Sequence, residues 1–141
     1  MFVDASVIIA ILTREPQAEA CQRALLAGDD GRDVTNVLAV WEAAAALLRK
    51  KQMPILAANS LISDFLEAGG VEVLPIDENH RLAAMAAFEA YGRHAYGGAD
   101  RNRALNMADC FHYAVARAEG VPMLSLDAGF ALTDMSVVDI G

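Results

Sequence analysis

Short apolar runs of strand length alternate with longer stretches of helical periodicity along the whole chain, and this alternation constrains the fold more than any other feature. Residues 1–3, 33–35, 71–76, 123–126 and 137–140 read as strands. Between them, residues 6–12 read as a buried helical turn, and Glu15-Pro16 opens a helix reaching about Ala27. Asn36 is placed to cap a long helix in which Leu38, Trp41, Ala45 and Leu48 recur at helical spacing, with Arg49-Lys50-Lys51 in the last turn. Pro54 opens a helix ending at Gly69-Gly70, residues 78–91 form another, and Asn106 caps one that Gly120 closes. A short helix follows Asp127, Gly28-Asp29-Asp30-Gly31 reads as a loop, and residues 92–105 break all periodicity and read as a mobile loop. Strands separated by helices pair in parallel through right-handed crossovers. The expectation is therefore an α/β fold, a three-layer α/β/α sandwich around a central, mostly parallel sheet.

Length and composition agree. With 141 residues, no repeats and no linker-like stretch, residues 1–141 form a single domain. Hydrophobic residues make up 55% and mean hydropathy is +0.30, so a packed core is expected. No apolar run approaches the roughly 20 residues of a membrane span, and no secretory leader is visible, which points to the cytoplasm. Cys21 and Cys110 both fall in helical patterns without zinc-site spacing and read as buried free thiols. The net charge of −8, from 19 acidic and 11 basic residues, argues against a general nucleic-acid coat. It fits either a solubilising surface or a site that concentrates acids around cations.

In an open parallel sheet, ligands bind beyond the carboxyl ends of the strands. Asp4 ends the first strand, Asp127 follows the fourth, and Asp109 opens the helix before it. Each aspartate taken alone is equally well a helix cap. Glu42 is not: it lies inside the long helix, beyond any capping position, among apolar neighbours. Gathered at one sheet edge, four carboxylates repel unless protons or cations intervene, and such hard oxygen ligands suit Mg²⁺ or Mn²⁺. An ion of this kind polarises a phosphoryl oxygen and activates water, which is phosphodiester hydrolysis without a covalent protein intermediate.

Taken together, the segments Met1-Phe2-Val3-Asp4-Ala5-Ser6-Val7-Ile8, Trp41-Glu42-Ala43, Ala104-Leu105-Asn106-Met107-Ala108-Asp109-Cys110-Phe111-His112-Tyr113-Ala114 and Leu124-Ser125-Leu126-Asp127 resemble the PIN-domain family, and within it the VapC-type toxins of toxin–antitoxin pairs. The resemblance covers nearly the whole chain. It implies an α/β/α sandwich, Mg²⁺- or Mn²⁺-dependent endonucleolytic cleavage of RNA, homodimerisation and inhibition by a cognate antitoxin protein. It places Asp4, Glu42 and Asp109 on the family's three firmest acidic positions and Asp127 on the fourth, with Ser6 supporting the site. Where many relatives carry Gly-Asp-Asp-Phe, this chain has Asp127-Ala128-Gly129-Phe130, which leaves Asp127 or Asp134 to complete the set. The stretch from Gly97 to Arg103 is longer than usual.

Arg93, Arg101 and Arg103, with His94, form the best local basic cluster and are candidates for holding RNA phosphates. His80, His94 and His112 are too scattered for a zinc site, and His112 reads as a buried structural residue. Other readings of the same acids are a PIN-domain nuclease without an antitoxin, a non-catalytic PIN-like binding module, and a phospho-receiver domain. A receiver needs a lysine late in the chain, and none follows Val121.

Overall fold

The computed structural model describes residues 1–28 and 31–141; the expected loop at Gly28–Gly31 falls partly outside them, at Asp29 and Asp30. In chain order the elements are β1 (Phe2–Val3), α1 (Ala5–Leu12), α2 (Ala18–Leu26), β2 (Asp33–Asn36), α3 (Val37–Lys51), α4 (Ile55–Ala68), β3 (Val71–Leu74), α5 (Glu78–Tyr91), α6 (Met107–Glu119) and β4 (Met123–Leu124). The sheet has the order β3-β2-β1-β4 with every pair parallel, and helices flank it, as the alternation predicts. Register is set by Phe2 opposite both Val34 and Met123, and by Val3 opposite Leu124. Phe2, Val3, Val34, Met123 and Leu124 are fully buried, as strands covered on both faces require.

One local device recurs. At four of the six α-helices of the described residues an Asp or Asn ends the turn into the helix, stays in extended backbone, and accepts hydrogen bonds from the first helical N–H groups. Asp4 caps α1, Asn36 caps α3, Asp77 caps α5 and Asn106 caps α6. Asp127 does the same for a 3₁₀ turn over Ala128–Leu132. Asp4 and Asn36 lie directly between strand and helix, so no intervening loop holds these caps away from the sheet. The chain moves from β1 to β2 to β3 in one direction and then returns to place β4 on the other side of β1. The crevice beside β1 is therefore a topological switch point, the favoured ligand position in such sheets.

Three expectations are corrected. Residues 137–140 do not form a strand: Val137 makes a single parallel bridge to Met123, held by Met123 N–H to Ser136 O and Val138 N–H to Met123 O, each 2.8 Å. The neighbouring β4 is only two residues long, so a longer partner has little to pair with. That strand ends at Leu124 rather than at residue 126 because Ser125 and Leu126 turn their polar groups toward the end of β1. Residues 92–105 are also not a featureless loop. They form 3₁₀ turns over Arg93–Ala95 and Gly98–Arg103, too short to display a sequence period, and Leu105 N–H returns to Tyr91 O at 3.0 Å. Gly92 is required there, since a Cβ would sit 2.5 Å from the Phe88 carbonyl oxygen. Cys21 and Cys110 are buried free thiols, as expected.

Candidate active site

The caps that start the helices also deliver the acids. Asp4 Oδ2 accepts from Ser6 N–H (3.3 Å), Ser6 Oγ (2.6 Å) and Ser125 Oγ (2.8 Å). Both serine oxygens accept in turn: Ser6 Oγ from Leu126 N–H (3.0 Å) and Ser125 Oγ from Asp127 N–H (2.9 Å). The ends of β1 and β4 are thereby laced together, and Asp4 and Asp127 are fixed to one framework. Asp109 closes a capping box with Asn106: its Oδ2 accepts from Asn106 N–H (3.0 Å) while Asn106 Oδ1 accepts from Asp109 N–H (2.8 Å). Asp127 Oδ1 accepts from Gly129 N–H (2.7 Å).

Each of these aspartates thus caps through one oxygen, and capping leaves its other oxygen uncommitted. Among the described residues, Asp4 Oδ1, Asp109 Oδ1 and Asp127 Oδ2 accept no hydrogen bond, and no fully buried side-chain oxygen lacks a partner. These free oxygens therefore keep some access to solvent. They face a common cleft of about 340 Å³ lined by Asp4, Ser6, Trp41, Glu42, Arg49, Asn106, Asp109 and Asp127. A larger groove of about 750 Å³ lies between α5 and α6, walled by Met85, Phe88, Met107 and Phe111, and holds none of the four acids.

Glu42 is held by a relay from the opposite side. Its Oε1 lies 2.5 Å from His112 Nε2, and His112 Nδ1 lies 3.0 Å from Asn36 Nδ2. Asn36 Oδ1 is committed to the cap of α3, accepting from Ala39 N–H at 2.9 Å, so its amide nitrogen must face the imidazole. The ring accepts at Nδ1 and carries its proton on Nε2, from which it donates to Glu42. His112 is fully buried against the Phe2 ring, with centroids 5.4 Å apart. The expectation of a buried histidine holds, and the structure adds its contact with a site acid.

Asp4 and Asp109 are only 5% and 6% exposed. Burial raises the Asp109 carboxyl from its ordinary 3.8 to about 7; the Asn106 N–H opposes this, and the charges of Asp127 and Asp4 add to it. A cation relieves both effects. Among the described residues no group of three or more acidic, histidine or cysteine side chains is arranged to hold a metal by itself. The donor set is all hard oxygen, with single free carboxylate oxygens beside open cleft. It fits a small divalent ion held by one or two carboxylates and completed by water, which is how Mg²⁺ is usually bound.

Asp134 is separated from this cleft. Its Oδ1 accepts from Tyr113 Oη (2.6 Å), its Oδ2 pairs with Arg117 (3.2 Å), and it lines a different depression beside Gly120 and Pro122. Of the two candidates for fourth acid, only Asp127 lines the cleft with Asp4 and Asp109. Arg93 and Arg101 are exposed and do not line the cleft; Arg103 pairs with Asp100 at 3.7 Å and donates to Ala128 O at 3.3 Å, beside Asp127. Sequence reasoning missed Ser125 and the cleft-facing places of Trp41 and Arg49. Ser125 was detectable in principle, since it ends a strand beside Asp127 just as Ser6 follows Asp4.

Comparison with known proteins agrees with this architecture. A PIN-domain family model matches residues 1–135. A VapC ribonuclease of Rhizobium meliloti is 33% identical over 144 aligned positions, covering 95% of this chain and 98% of that protein. A ribonuclease VapC of Mycolicibacterium smegmatis is 32% identical, covering 98% and 99%. Among solved structures, the Mycobacterium tuberculosis VapC20 toxin, described as cleaving the sarcin–ricin loop, superposes with a TM-score of 0.74 at 18% identity over 95% of both chains. A chain of a toxin–antitoxin complex from Klebsiella pneumoniae gives 0.70 at 13% identity, covering 99% and 97%. The motif spacing, the strand order and these matches over nearly the full length lead to one conclusion: the chain belongs to the PIN-domain family.

Proposed function

We propose that this chain is a toxin ribonuclease of the VapC type, an endoribonuclease that hydrolyses RNA phosphodiester bonds with Mg²⁺ or Mn²⁺ and is restrained by a cognate antitoxin. The observation that carries the reading is the convergence of Asp4, Glu42, Asp109 and Asp127 on one cleft at the switch point of the sheet. The relatives named ribonuclease match over nearly their whole length, which supports the same activity here.

One or two of Asp4, Asp109 and Asp127 would hold the ion directly through the oxygens their caps leave free, with the remaining acids and Glu42 completing the acidic wall around its waters. When bound, such an ion supplies Lewis acidity toward a phosphoryl oxygen and an attacking water. Ser6 and Ser125 keep Asp4 in one orientation by hydrogen bonds to Oδ2, and His112 orders Glu42 by donating from Nε2. Asp109, whose carboxyl pKa is pushed up by burial and by the neighbouring Asp127 and Asp4 charges, would hold such an ion in its ionised form, so binding there would favour the carboxylate over the acid. No side chain is needed as a covalent nucleophile.

Two further parts of the proposal concern partners. The exposed apolar residues Leu48, Ile55 and Leu56 on α3 and α4, and Leu82, Met85, Phe88 and Met107 on α5 and α6, support protein contacts with a second copy and with an antitoxin. No helix of the described residues is long and apolar enough to cross a membrane. The test is incubation of the purified chain with structured RNAs and Mg²⁺ or Mn²⁺. Cleavage is expected for the wild type and lost in Asp4→Asn and Asp109→Asn; cleavage unchanged in either variant overturns the assignment.

A further inference from the structure

The α3 wall of the cleft carries two side chains that the acidic machinery does not use. Trp41, the single tryptophan of the chain, is 66% exposed although it sits next to Glu42. Among the described residues its ring makes no aromatic or cation–π pair. Arg49, two turns further along the same helix face, is the cation lining this cleft and has no ion pair among the described residues. Its neighbour Lys50, by contrast, is tied to Glu15 at 3.0 Å. Between Trp41 and Arg49 the wall is lined by Ala45 and Ala46, which leave a low floor.

We propose that Trp41 and Arg49 form a subsite for single-stranded RNA, in which a base stacks on the indole face and an adjoining phosphate is held by the guanidinium. The subsite rests on the nuclease reading above. Eight residues of helix separate the two side chains by about 12 Å, on the order of an extended dinucleotide. Because Trp41 precedes Glu42 directly, a base on the ring lies beside the carboxylates that would hold the metal. An unpaired base has a free face for such stacking, whereas bases in a duplex stack on one another. A positive group at this point also has a clear task. In a chain of net charge −8 the acidic cleft repels phosphate, and Arg49 offers a local anchor independent of the metal. A neutral apolar ligand would account for Trp41 and leave Arg49 without a role.

The single tryptophan makes the test direct. Intrinsic fluorescence is followed while a single-stranded RNA oligonucleotide, or its fully paired duplex, is added in Ca²⁺, and cleavage of the same RNA is measured in Mg²⁺ and Mn²⁺. Saturable quenching by the single strand, weaker with the duplex, is expected. Trp41→Ala should raise KM roughly tenfold with kcat within about twofold, while Trp41→Phe keeps most of the affinity. Arg49→Ala should raise KM and reduce the salt dependence of binding by about one counterion, with Arg49→Lys restoring much of it. If the wild type cleaves RNA but KM is unchanged in both Trp41→Ala and Arg49→Ala, and quenching is unchanged in Arg49→Ala, which keeps the indole, the subsite is refuted and the nuclease reading stands. If the wild type neither binds nor cleaves RNA, both fail. If Trp41→Ala weakens only binding of a purified antitoxin and not of RNA, the residue belongs to a protein-docking surface and the subsite is refuted.

Discussion

Replacing Asp109 by Asn tests whether the site stores electrostatic strain that a cation is needed to release. The Asp109 carboxyl is raised from 3.8 to about 7 in the folded chain, chiefly by burial and secondarily by the charges of Asp127 and Asp4. The folded state thus holds this proton more tightly than the unfolded state does. The contribution to stability is complete below the unfolded pKa, falls as pH rises from about 4 to about 7, and is level above that. The full shift corresponds to about 4 kcal/mol at 1.36 kcal/mol per unit, of which about 3 kcal/mol lies between pH 5 and pH 8. Asparagine keeps an oxygen for the Asn106 N–H and removes the charge. In urea unfolding with chelator present, followed by circular dichroism, the wild type should lose about 3 kcal/mol more than Asp109→Asn between pH 5 and pH 8. The variant should be the more stable protein at pH 8 and should gain nothing from Mg²⁺. The wild type should gain about 2.7 kcal/mol at a hundredfold excess over Kd. Parallel pH profiles for the two proteins, or a variant less stable than wild type at pH 8, would refute the argument.

The two rival aspartates can be separated by cleavage assays: Asp127→Asn should lose at least 100-fold in kcat, the order seen when an electrostatic contact to the reacting centre is removed. Asp134→Asn should stay within about twofold, at a stability cost of about 1 kcal/mol for the lost Tyr113 and Arg117 contacts. Equal losses in both would sink the placement. His112→Phe leaves Asn36 Nδ2 and Glu42 without their shared partner and should cost about 1–3 kcal/mol, measurable by thermal unfolding. It should also weaken Mg²⁺ binding in calorimetry, and unchanged metal affinity would show that the relay does not order Glu42. Gly129→Ala would bring a Cβ to 2.3 Å from the Arg103 carbonyl, so the turn after Asp127 must shift. A drop in both melting temperature and kcat is expected, and a variant unaltered in both would show that this turn does not position Asp127.

Much of the molecule was legible in the linear pattern, because the relevant physics is local. Strand and helix periods, Asn36, Asn106 and Gly120 as helix boundaries, and aspartates at strand ends all depend on neighbours within about four residues. The alternation of elements led to a parallel sheet, and the sheet rule led to its carboxyl edge. The order β3-β2-β1-β4 was not legible, and the site depends on it. Only because β4 returns beside β1 can Ser125 reach Asp4 across 121 positions of sequence. The same packing brings His112 to Glu42 and Asn36, commits Asp134 to Tyr113, and places Trp41 and Arg49 on the cleft wall. Sequence determined which residues were candidates, since capping and periodicity are short-range. Tertiary structure decided which of them share a cleft and which oxygen each keeps free, because hydrogen-bond partners and burial are set by elements distant in the chain.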